Sequence, residues 1–208
     1  MDEIILQKSA IILAGGFSRR FGSDKGLVLL RDKPLVRHVI DKIYPVVNEV
    51  LVIVSSENQK KTFKLVLKKD AKIIIDKDNS QSPLIGAMTG FEASNCEYSL
   101  LLPCDAPLVS TNIIQFLFDM SINRRAVIPR WPSGYIEPLQ AVYHTKSALI
   151  AAKIALRQGN MNMRSMIDNL HGVRYISTMV IEQLEPGFVT FLNVNTPEDL
   201  RKAESFLN

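Results

Sequence analysis

Short apolar runs rich in β-branched residues recur along the chain and alternate with segments of helical periodicity. Apolar and polar residues do not alternate along these runs, which is typical of strands that are buried on both faces of a sheet. The runs predict strands at residues 10–13, 50–54, 72–75, 98–102 and 126–128. Apolar residues at helical spacing between them predict helices at residues 35–43, 58–67, 83–93 and 112–120.

The alternation of strand and helix predicts an α/β fold, a Rossmann-like three-layer αβα arrangement with a mostly parallel central sheet. The second half of the chain is less regular. Its pattern predicts strands at 137–143, 173–177 and 188–194 and helices at 146–156 and 197–206. The proline- and glycine-containing stretch 129–134 is too short for an interdomain linker, so we expect residues 1–208 to form a single domain.

Composition narrows the class of protein. A chain of 208 residues with 47% hydrophobic content is long enough to close one sizeable core. Its 25 basic and 21 acidic residues are interspersed, so the net charge of +4 does not indicate a nucleic-acid partner. Cys96 and Cys104 are too few for a disulfide scaffold or a zinc motif. The first residues match neither a signal peptide nor a membrane span, so we expect a cytoplasmic protein without a membrane partner.

A glycine-rich loop follows the first predicted strand. The segment from Ser9 to Lys25 reads SAIILAGGFSRRFGSDK, a buried strand that leads into a loop ending in lysine. Gly15 and Gly16 allow backbone N–H groups to approach phosphate oxygens, and Arg20 and Lys25 supply positive charge. The spacing differs from the P-loop and from the dinucleotide fingerprint. An isolated Gly-Gly pair is usually a structural turn, so the length of the pattern carries the prediction of a triphosphate site.

Two carboxylates follow predicted strands. Asp105 lies three residues beyond the strand at 98–102, and ligands of open α/β sheets bind outside the carboxyl ends of strands. Mg²⁺ prefers one or two carboxylates with phosphate oxygens and water, which makes Asp105 the predicted metal ligand, with a turn or cap role as the alternative. Asp76 ends the strand at 72–75 and is predicted to contact ribose, base or metal-bound water, unless it is a charge at the sheet edge.

The sequence NVNTPEDL near the end of the chain combines a helix start with two asparagines. Thr196 is predicted to cap the last helix, and Pro197 suits its first position. Helix capping explains Asn193 and Asn195 less well.

Three blocks of this sequence resemble the molybdenum cofactor guanylyltransferases and their nucleotidyltransferase relatives. The first is the loop pattern L-A-G-G-x-S-x-R-x-G-x-D-K, the second an acid followed by G-P-L-x-G, and the third N-x-N-T-P-E-[DE]-L. Ser82 stands where the second block usually has glycine, which weakens the base contact assigned there. The resemblance runs from Ile12 to about Leu200, with weak matching between the blocks.

The resemblance implies a fold like that of nucleotide-diphospho-sugar transferases and GMP transfer from GTP to the phosphate of molybdopterin, with Mg²⁺ as cofactor. Proteins of molybdenum insertion or molybdoenzyme maturation are the implied partners. The implied catalytic residues are Lys25, Arg20 and Asp105, and the implied metal ligands are Asp105 and Asn195. The implied nucleotide contacts are Leu13, Ala14, Gly15, Gly16, Lys25, Asp76 and Asp105.

Other functions fit the same residues. A cytidylyltransferase acting on molybdopterin and a nucleotidyltransferase acting on a sugar or polyol phosphate are alternatives within this fold. A nucleotide-binding regulatory module without turnover is an alternative of another class, although the intact Lys25 and Asp105 argue against it. A cluster of arginines and aromatic residues either holds the second substrate or is solvated surface; it comprises Arg124, Arg125, Arg130, Trp131, Tyr135 and Glu137.

Overall fold

The computed structural model describes residues 7–15, 17–18, 21, 23–76 and 82–207. Its central sheet has seven strands: β1 (Lys8–Leu13), β2 (Glu49–Val54), β3 (Lys72–Ile75), β4 (Tyr98–Pro103), β5 (Ala126–Arg130), β6 (Ala141–His144) and β7 (Val173–Ser177). Their order across the sheet is β7-β5-β6-β4-β1-β2-β3. Strand β6 is antiparallel to both of its neighbours, and the other strand pairs are parallel. The predicted α/β class with a mostly parallel sheet is confirmed.

Helices cover both faces of this sheet. They are α1 (Leu35–Ile43), α2 (Glu57–Leu67), α3 (Pro83–Ala93), α4 (Thr111–Asp119), α5 (Thr145–Arg157), α6 (Met163–Asp168), α7 (Thr178–Leu184) and α8 (Pro197–Ser205). Ser110 caps α4, and Thr196 caps α8, which confirms the cap predicted for Thr196. Among the described residues, no helix is long and apolar enough to cross a membrane.

The core lies in two layers, one on each face of the sheet. In β2, Val52 and Val54 pack on the face covered by α1, α2 and α4, whereas Leu51 and Ile53 pack on the face covered by α3, α5 and α6. Consecutive residues of one strand therefore enter opposite layers. This explains why the sequence of β2 is a continuous apolar run without polar alternation.

Two predicted strands differ in the structure. The strand predicted at 188–194 is wrong: Phe188 adopts a left-handed backbone (φ 52°) and a 3₁₀ turn follows at Val189–Phe191. The aromatic side chains of this segment are partly buried by packing against a distant loop instead of by strand pairing, since Trp131 contacts the rings of both Phe188 and Phe191. The strand predicted at 137–143 begins only at Ala141, because residues 137–140 form a turn.

Two short helices, α6 and α7, were not predicted from the pattern. Met163 and Met166 of α6 are buried in the core under α3 and α5, where their flexible side chains fill space. Helix α3 lies close to β1 because residue 90 is glycine: a Cβ at Gly90 would stand 2.3 Å from Cγ2 of Ile11. This close approach brings the start of α3 to the carboxyl edge of the sheet.

Candidate active site

A cleft opens at the carboxyl edge of the sheet, where the strand order reverses. From β1 the sheet continues to β2 and β3 on one side, and β4 lies on the other side. Loops at such a switch point diverge and leave a crevice between them. The cleft has a volume of about 480 Å³, within the range of small-molecule sites.

The centre of the cleft brings together three predicted site residues. Lys25 begins a 3₁₀ turn (Lys25–Leu27), and its Nζ forms an ion pair with the Asp105 carboxylate. The same nitrogen donates a hydrogen bond to Oδ1 of Asn195 at 2.5 Å, across 170 positions of sequence. The Asp105 side chain is only 7% exposed and that of Lys25 is 23% exposed. Most of the charge in this centre is thus shielded from solvent.

Backbone hydrogen bonds fix Asp105 in place. The N–H of Cys104 donates to the carbonyl of Leu13 at 3.1 Å, which continues the pairing of β4 with β1. The carbonyl of Asp105 accepts from the N–H of Val194 at 2.8 Å, which ties it to the segment that carries Asn195. Burial raises the pKa of the neighbouring Cys104 thiol far above its ordinary value, so Cys104 packs as a neutral group and not as a nucleophile.

The capping box of α8 positions Asn195. Oδ2 of Asp199 accepts from the N–H groups of Asn195 at 3.0 Å and Thr196 at 2.9 Å, while Thr196 Oγ1 accepts from the N–H of Asp199 at 3.1 Å. Burial opposes ionisation of Asp199. The Thr196 hydroxyl, which donates to Oδ2 at 2.9 Å, the two backbone N–H groups and the charge of Lys202 outweigh burial and lower the pKa of the carboxyl. The predicted cap and the predicted site residue therefore belong to one motif.

The donor set at the centre suits a divalent cation. Asp105 Oδ2 and Asn195 Oδ1 both contact the same positively charged nitrogen, so the two oxygens converge on one position. One carboxylate with one amide oxygen is the oxygen chemistry that Mg²⁺ accepts together with phosphate and water ligands. Among the described residues no group of three or more His, Cys, Asp or Glu side chains forms a protein-only metal cage. A metal here would need ligands from a substrate.

We call one end of the cleft the β3 side, defined by Ser55, Asp76, Ser82 and Gly86. The N–H of Asp76 donates to the carbonyl of Val54 at 2.7 Å, and its Oδ1 accepts from the Thr89 hydroxyl at 2.8 Å. A Cβ at Gly86 would stand 3.2 Å from a Leu13 methyl group and 3.5 Å from Asp76 Oδ2. Glycine at 86 therefore keeps the first turn of α3 close to the floor of the cleft.

Sequence reasoning missed the link between the β3 side and the glycine-rich loop. Oε1 of the buried Gln59 accepts from both the N–H and the hydroxyl of Ser55 at 2.8 Å. Its Nε2 donates to Asp24 at 2.6 Å, next to Lys25. Ser55 directly follows β2. Because ligands of such sheets bind beyond the carboxyl ends of strands, its position alone makes Ser55 a candidate site residue.

We call the other end the β6 side, defined by Tyr135, Glu137, Pro138, Leu139 and Gln140. Because β6 runs opposite to the other strands, the turn that precedes it lies at the same sheet edge as the loops that follow β1 and β4. Glu137 Oε1 accepts from the Trp131 indole N–H at 2.7 Å. Burial raises the pKa of the Glu137 carboxyl, and this hydrogen bond offsets only part of the effect.

Only some residues of the predicted arginine and aromatic cluster lie at the cleft. Tyr135 and Glu137 line the cleft. Arg124 and Arg125 precede β5 and therefore lie at the opposite edge of the sheet. Arg130 packs over the ring of Tyr175 on the edge strand β7, with 5.3 Å between the guanidinium carbon and the ring centre. The three arginines thus do not line the cleft.

The structure describes only some of the site residues predicted in and before the first loop. Leu13 and Gly15 line the cleft, and Ala14 is buried beside them. The N–H of Ala14 donates to the carbonyl of Ile53 at 2.8 Å, which holds the loop against β2. Gly16 and Arg20 lie outside the described residues, so their predicted roles remain predictions.

Comparisons with known proteins agree with this geometry. The model of the MobA-like NTP transferase domain matches residues 10–173. The probable molybdenum cofactor guanylyltransferase of Haloferax mediterranei is 35% identical, over 95% of this chain and 93% of that protein. Its counterpart from Methanosarcina mazei is 32% identical, over 93% of this chain and 88% of that protein.

A solved structure shares the whole architecture. The molybdopterin-guanine dinucleotide biosynthesis protein A from Archaeoglobus fulgidus superimposes with a TM-score of 0.80 at 25% identity. The superposition covers 96% of this chain and 98% of that one. With the family model and the relatives, it shows that this chain belongs to the MobA-like NTP transferase family and is a nucleotidyltransferase.

Proposed function

We propose that this protein transfers GMP from GTP to the phosphate of molybdopterin and releases pyrophosphate. The observation that carries the proposal is the convergence of Lys25, Asp105 and Asn195 on one point of the switch-point cleft. The choice of substrates draws on the printed names of the relatives from Haloferax mediterranei and Methanosarcina mazei.

The reaction requires little acid–base chemistry from the protein. A phosphate oxygen of the acceptor attacks the α-phosphorus of GTP, and the bond from that phosphorus to the oxygen bridging to the β-phosphate breaks. Pyrophosphate leaves with the electron pair. A phosphate monoester with a second pKa of about 6 is already largely ionised at neutral pH, so no general base is needed. The described lining of the cleft, which contains neither histidine nor an ionised cysteine, suits such a mechanism.

Lys25 and the loop after β1 supply the electrostatic part of catalysis in this proposal. The Lys25 ammonium neutralises charge on the triphosphate and on the departing pyrophosphate. The Gly15 backbone, which lines the cleft without a side chain, lets phosphate oxygens come close to the amides of the loop. Positioning the two phosphates in line accounts for much of the remaining rate enhancement.

We assign the divalent cofactor as Mg²⁺. Asp105 and Asn195 would hold it, together with oxygens of the triphosphate and water. When bound, Mg²⁺ supplies charge neutralisation at the α-phosphate. In this structure the Lys25 ammonium satisfies both of these oxygens, which are therefore arranged for a positive charge before any metal binds.

The β3 side is the proposed site of the nucleoside. Asp76 retains acceptor capacity beyond its hydrogen bond with Thr89, and carboxylates accept readily from ribose hydroxyls and from the N–H groups of guanine. Ser82 and Gly86 line the same end of the cleft, so the start of α3 lies beside the proposed base. The β6 side is then left for the acceptor.

A substrate panel tests the proposal. Pyrophosphate release is measured with GTP, CTP, ATP and UTP, each with Mg²⁺ and with molybdopterin or a sugar phosphate as acceptor. We expect release only with GTP and molybdopterin. A preference for CTP would make the protein a cytidylyltransferase, and turnover with a sugar phosphate would assign it another acceptor. Binding of GTP without any release would contradict the proposed reaction and support a regulatory module.

A further inference from the structure

The described lining of the cleft contains three carboxylates, and two of them have no ion-pair partner among the described residues. Asp105 is paired with Lys25. Asp76 on the β3 side and Glu137 on the β6 side each accept one hydrogen bond from a neutral group, the Thr89 hydroxyl and the Trp131 indole respectively. Both carboxylates therefore keep unused acceptor capacity toward the cleft.

The two carboxylates belong to different ends of the ligand space. Asp76 follows β3 and Glu137 precedes β6, and the strands β2, β1 and β4 lie between them. Four strand spacings of about 4.8 Å separate these ends by roughly 19 Å along the sheet edge. One heterocycle cannot reach both. Lys25 and Asp105 lie between them, so a ligand that spans the cleft would meet the two carboxylates with two separate groups.

Glu137 is held by Trp131, and it forms no ion pair with any cation among the described residues. The Trp131 indole that donates to it packs against Phe188 at 4.9 Å and Phe191 at 5.5 Å between ring centres. The carboxyl is half-buried, and burial destabilises its charged form. Ligand N–H donors would stabilise the carboxylate, since hydrogen bonds to a charged acceptor are stronger than neutral ones.

The chemistry of a pterin fits this environment. A pterin presents a ring N–H and a 2-amino group side by side, and a carboxylate accepts from both. Tyr135 and Pro138 line the same side, and an aromatic side chain there can pack against a planar ring. We infer that Glu137 determines acceptor specificity by binding the amino-pyrimidinone edge of the pterin. The inference rests on the proposed function, because the acceptor class comes from there.

Two small ligands test the inference without any turnover. Pterin-6-carboxylate carries the 2-amino group, whereas lumazine-6-carboxylate has an oxo group in its place, and both fluoresce. We expect the wild type to bind the pterin at least about tenfold more tightly, the usual effect of hydrogen bonds to a charged group. Equal affinities for the two ligands would overturn the inference, and this comparison needs no variant.

The variant Glu137→Gln should abolish the preference. Glutamine keeps the shape and the acceptor for Trp131, so the melting temperature should change little. The matched control is Glu97→Gln, the same change at an exposed position before β4, on the opposite edge of the sheet. We expect the control to keep the tenfold preference. If Glu137→Gln also keeps it, the inference is wrong.

Turnover separates this inference from the proposed function. In Glu137→Gln the KM for molybdopterin should rise about tenfold, while kcat and the KM for GTP stay near the wild-type values. A protein that distinguishes pterin from lumazine through Glu137 but never consumes GTP would refute the reaction and keep the subsite. A protein that makes the dinucleotide without that distinction would refute the subsite and keep the reaction.

Discussion

The two sides of the cleft each end in a carboxylate, yet the fold builds them in opposite ways. On the β3 side, Asp76 follows a parallel strand, and its backbone is hydrogen-bonded to the end of the next strand. On the β6 side, Glu137 precedes a reversed strand and is held by the side chain of Trp131. The first arrangement depends on the sheet, and the second depends on packing between loops. In this sheet the acid on the β6 side precedes its strand, and the reversed direction of β6 places it at the same edge as Asp76.

The largest expected effect is at the centre, which serves both sides. Asp105→Asn keeps the size of the side chain but removes the charge that holds Mg²⁺. We expect Mg²⁺-dependent pyrophosphate release to fall about a thousandfold, equivalent to about 4 kcal/mol. GTP affinity measured without metal should change little, as should pterin affinity.

Asp168→Asn on the exposed face of α6 is the control for this change and should keep full activity. Retained Mg²⁺-dependent turnover in Asp105→Asn would show that the metal is held elsewhere. Asp76 would then be the next carboxylate to replace.

A smaller loss is expected for Lys25→Ala, which removes the ammonium that contacts both Asp105 and Asn195. The value of kcat/KM for GTP should fall about a hundredfold, the usual loss when one charged donor to the reacting phosphates is removed. Pterin affinity should not change. Lys153→Ala, which removes a surface ion pair with Glu92, is the control. Wild-type activity in Lys25→Ala would refute the role of Lys25.

Asp76→Asn makes on the β3 side the same chemical change that Glu137→Gln makes on the β6 side, the replacement of a carboxylate by an amide. The amide can still accept from Thr89, so the fold should be preserved. We expect GTP affinity to fall about tenfold and pterin affinity to stay constant, measured by titration calorimetry and fluorescence. Equal losses for both ligands would mean that the two sides are not separate subsites.

The smallest expected effect is the selectivity for the nucleobase of the triphosphate. At a concentration about one hundred times its Kd, GTP should stabilise the folded protein by about 2.7 kcal/mol, which raises the melting temperature by roughly 5–10 °C. At equal concentrations CTP, ATP and UTP should raise it less. Equal shifts of the melting temperature for the four nucleotides would contradict guanine selectivity on the β3 side. They would still be consistent with a triphosphate site.

The sequence predicts the β3 side and the centre much better than the β6 side. Lys25, Asp76 and Asp105 each follow a predicted strand or its loop, and the rule for parallel strand ends places such residues at one edge. The direction of β6 does not show in its apolar pattern, since a reversed strand has the same periodicity as a parallel one. Residues 137–140 were therefore predicted as strand, although the structure has a turn there that lines the cleft.

Packing between distant segments explains the other error. The apolar residues at 188–194 suggested a strand, but Phe188 and Phe191 pack against Trp131, which lies more than fifty positions earlier. A periodicity argument sees only neighbours in sequence and cannot distinguish such contacts from a buried strand. The prediction for Asn195 does not depend on that strand, because it comes from the resemblance of the N-x-N-T-P-E-[DE]-L block.

The contact between Lys25 and Asn195 also sets an order of events during synthesis. All seven strands of the sheet end by Ser177, so the ribosome completes them before it adds Val194 and Asn195. A nascent chain can therefore assemble the sheet while the centre still lacks both the amide beside Lys25 and the N–H that binds the carbonyl of Asp105. The cleft becomes complete only when the last helix is released. Premature termination after β7 would thus yield a chain that has every strand of the sheet but an incomplete catalytic centre.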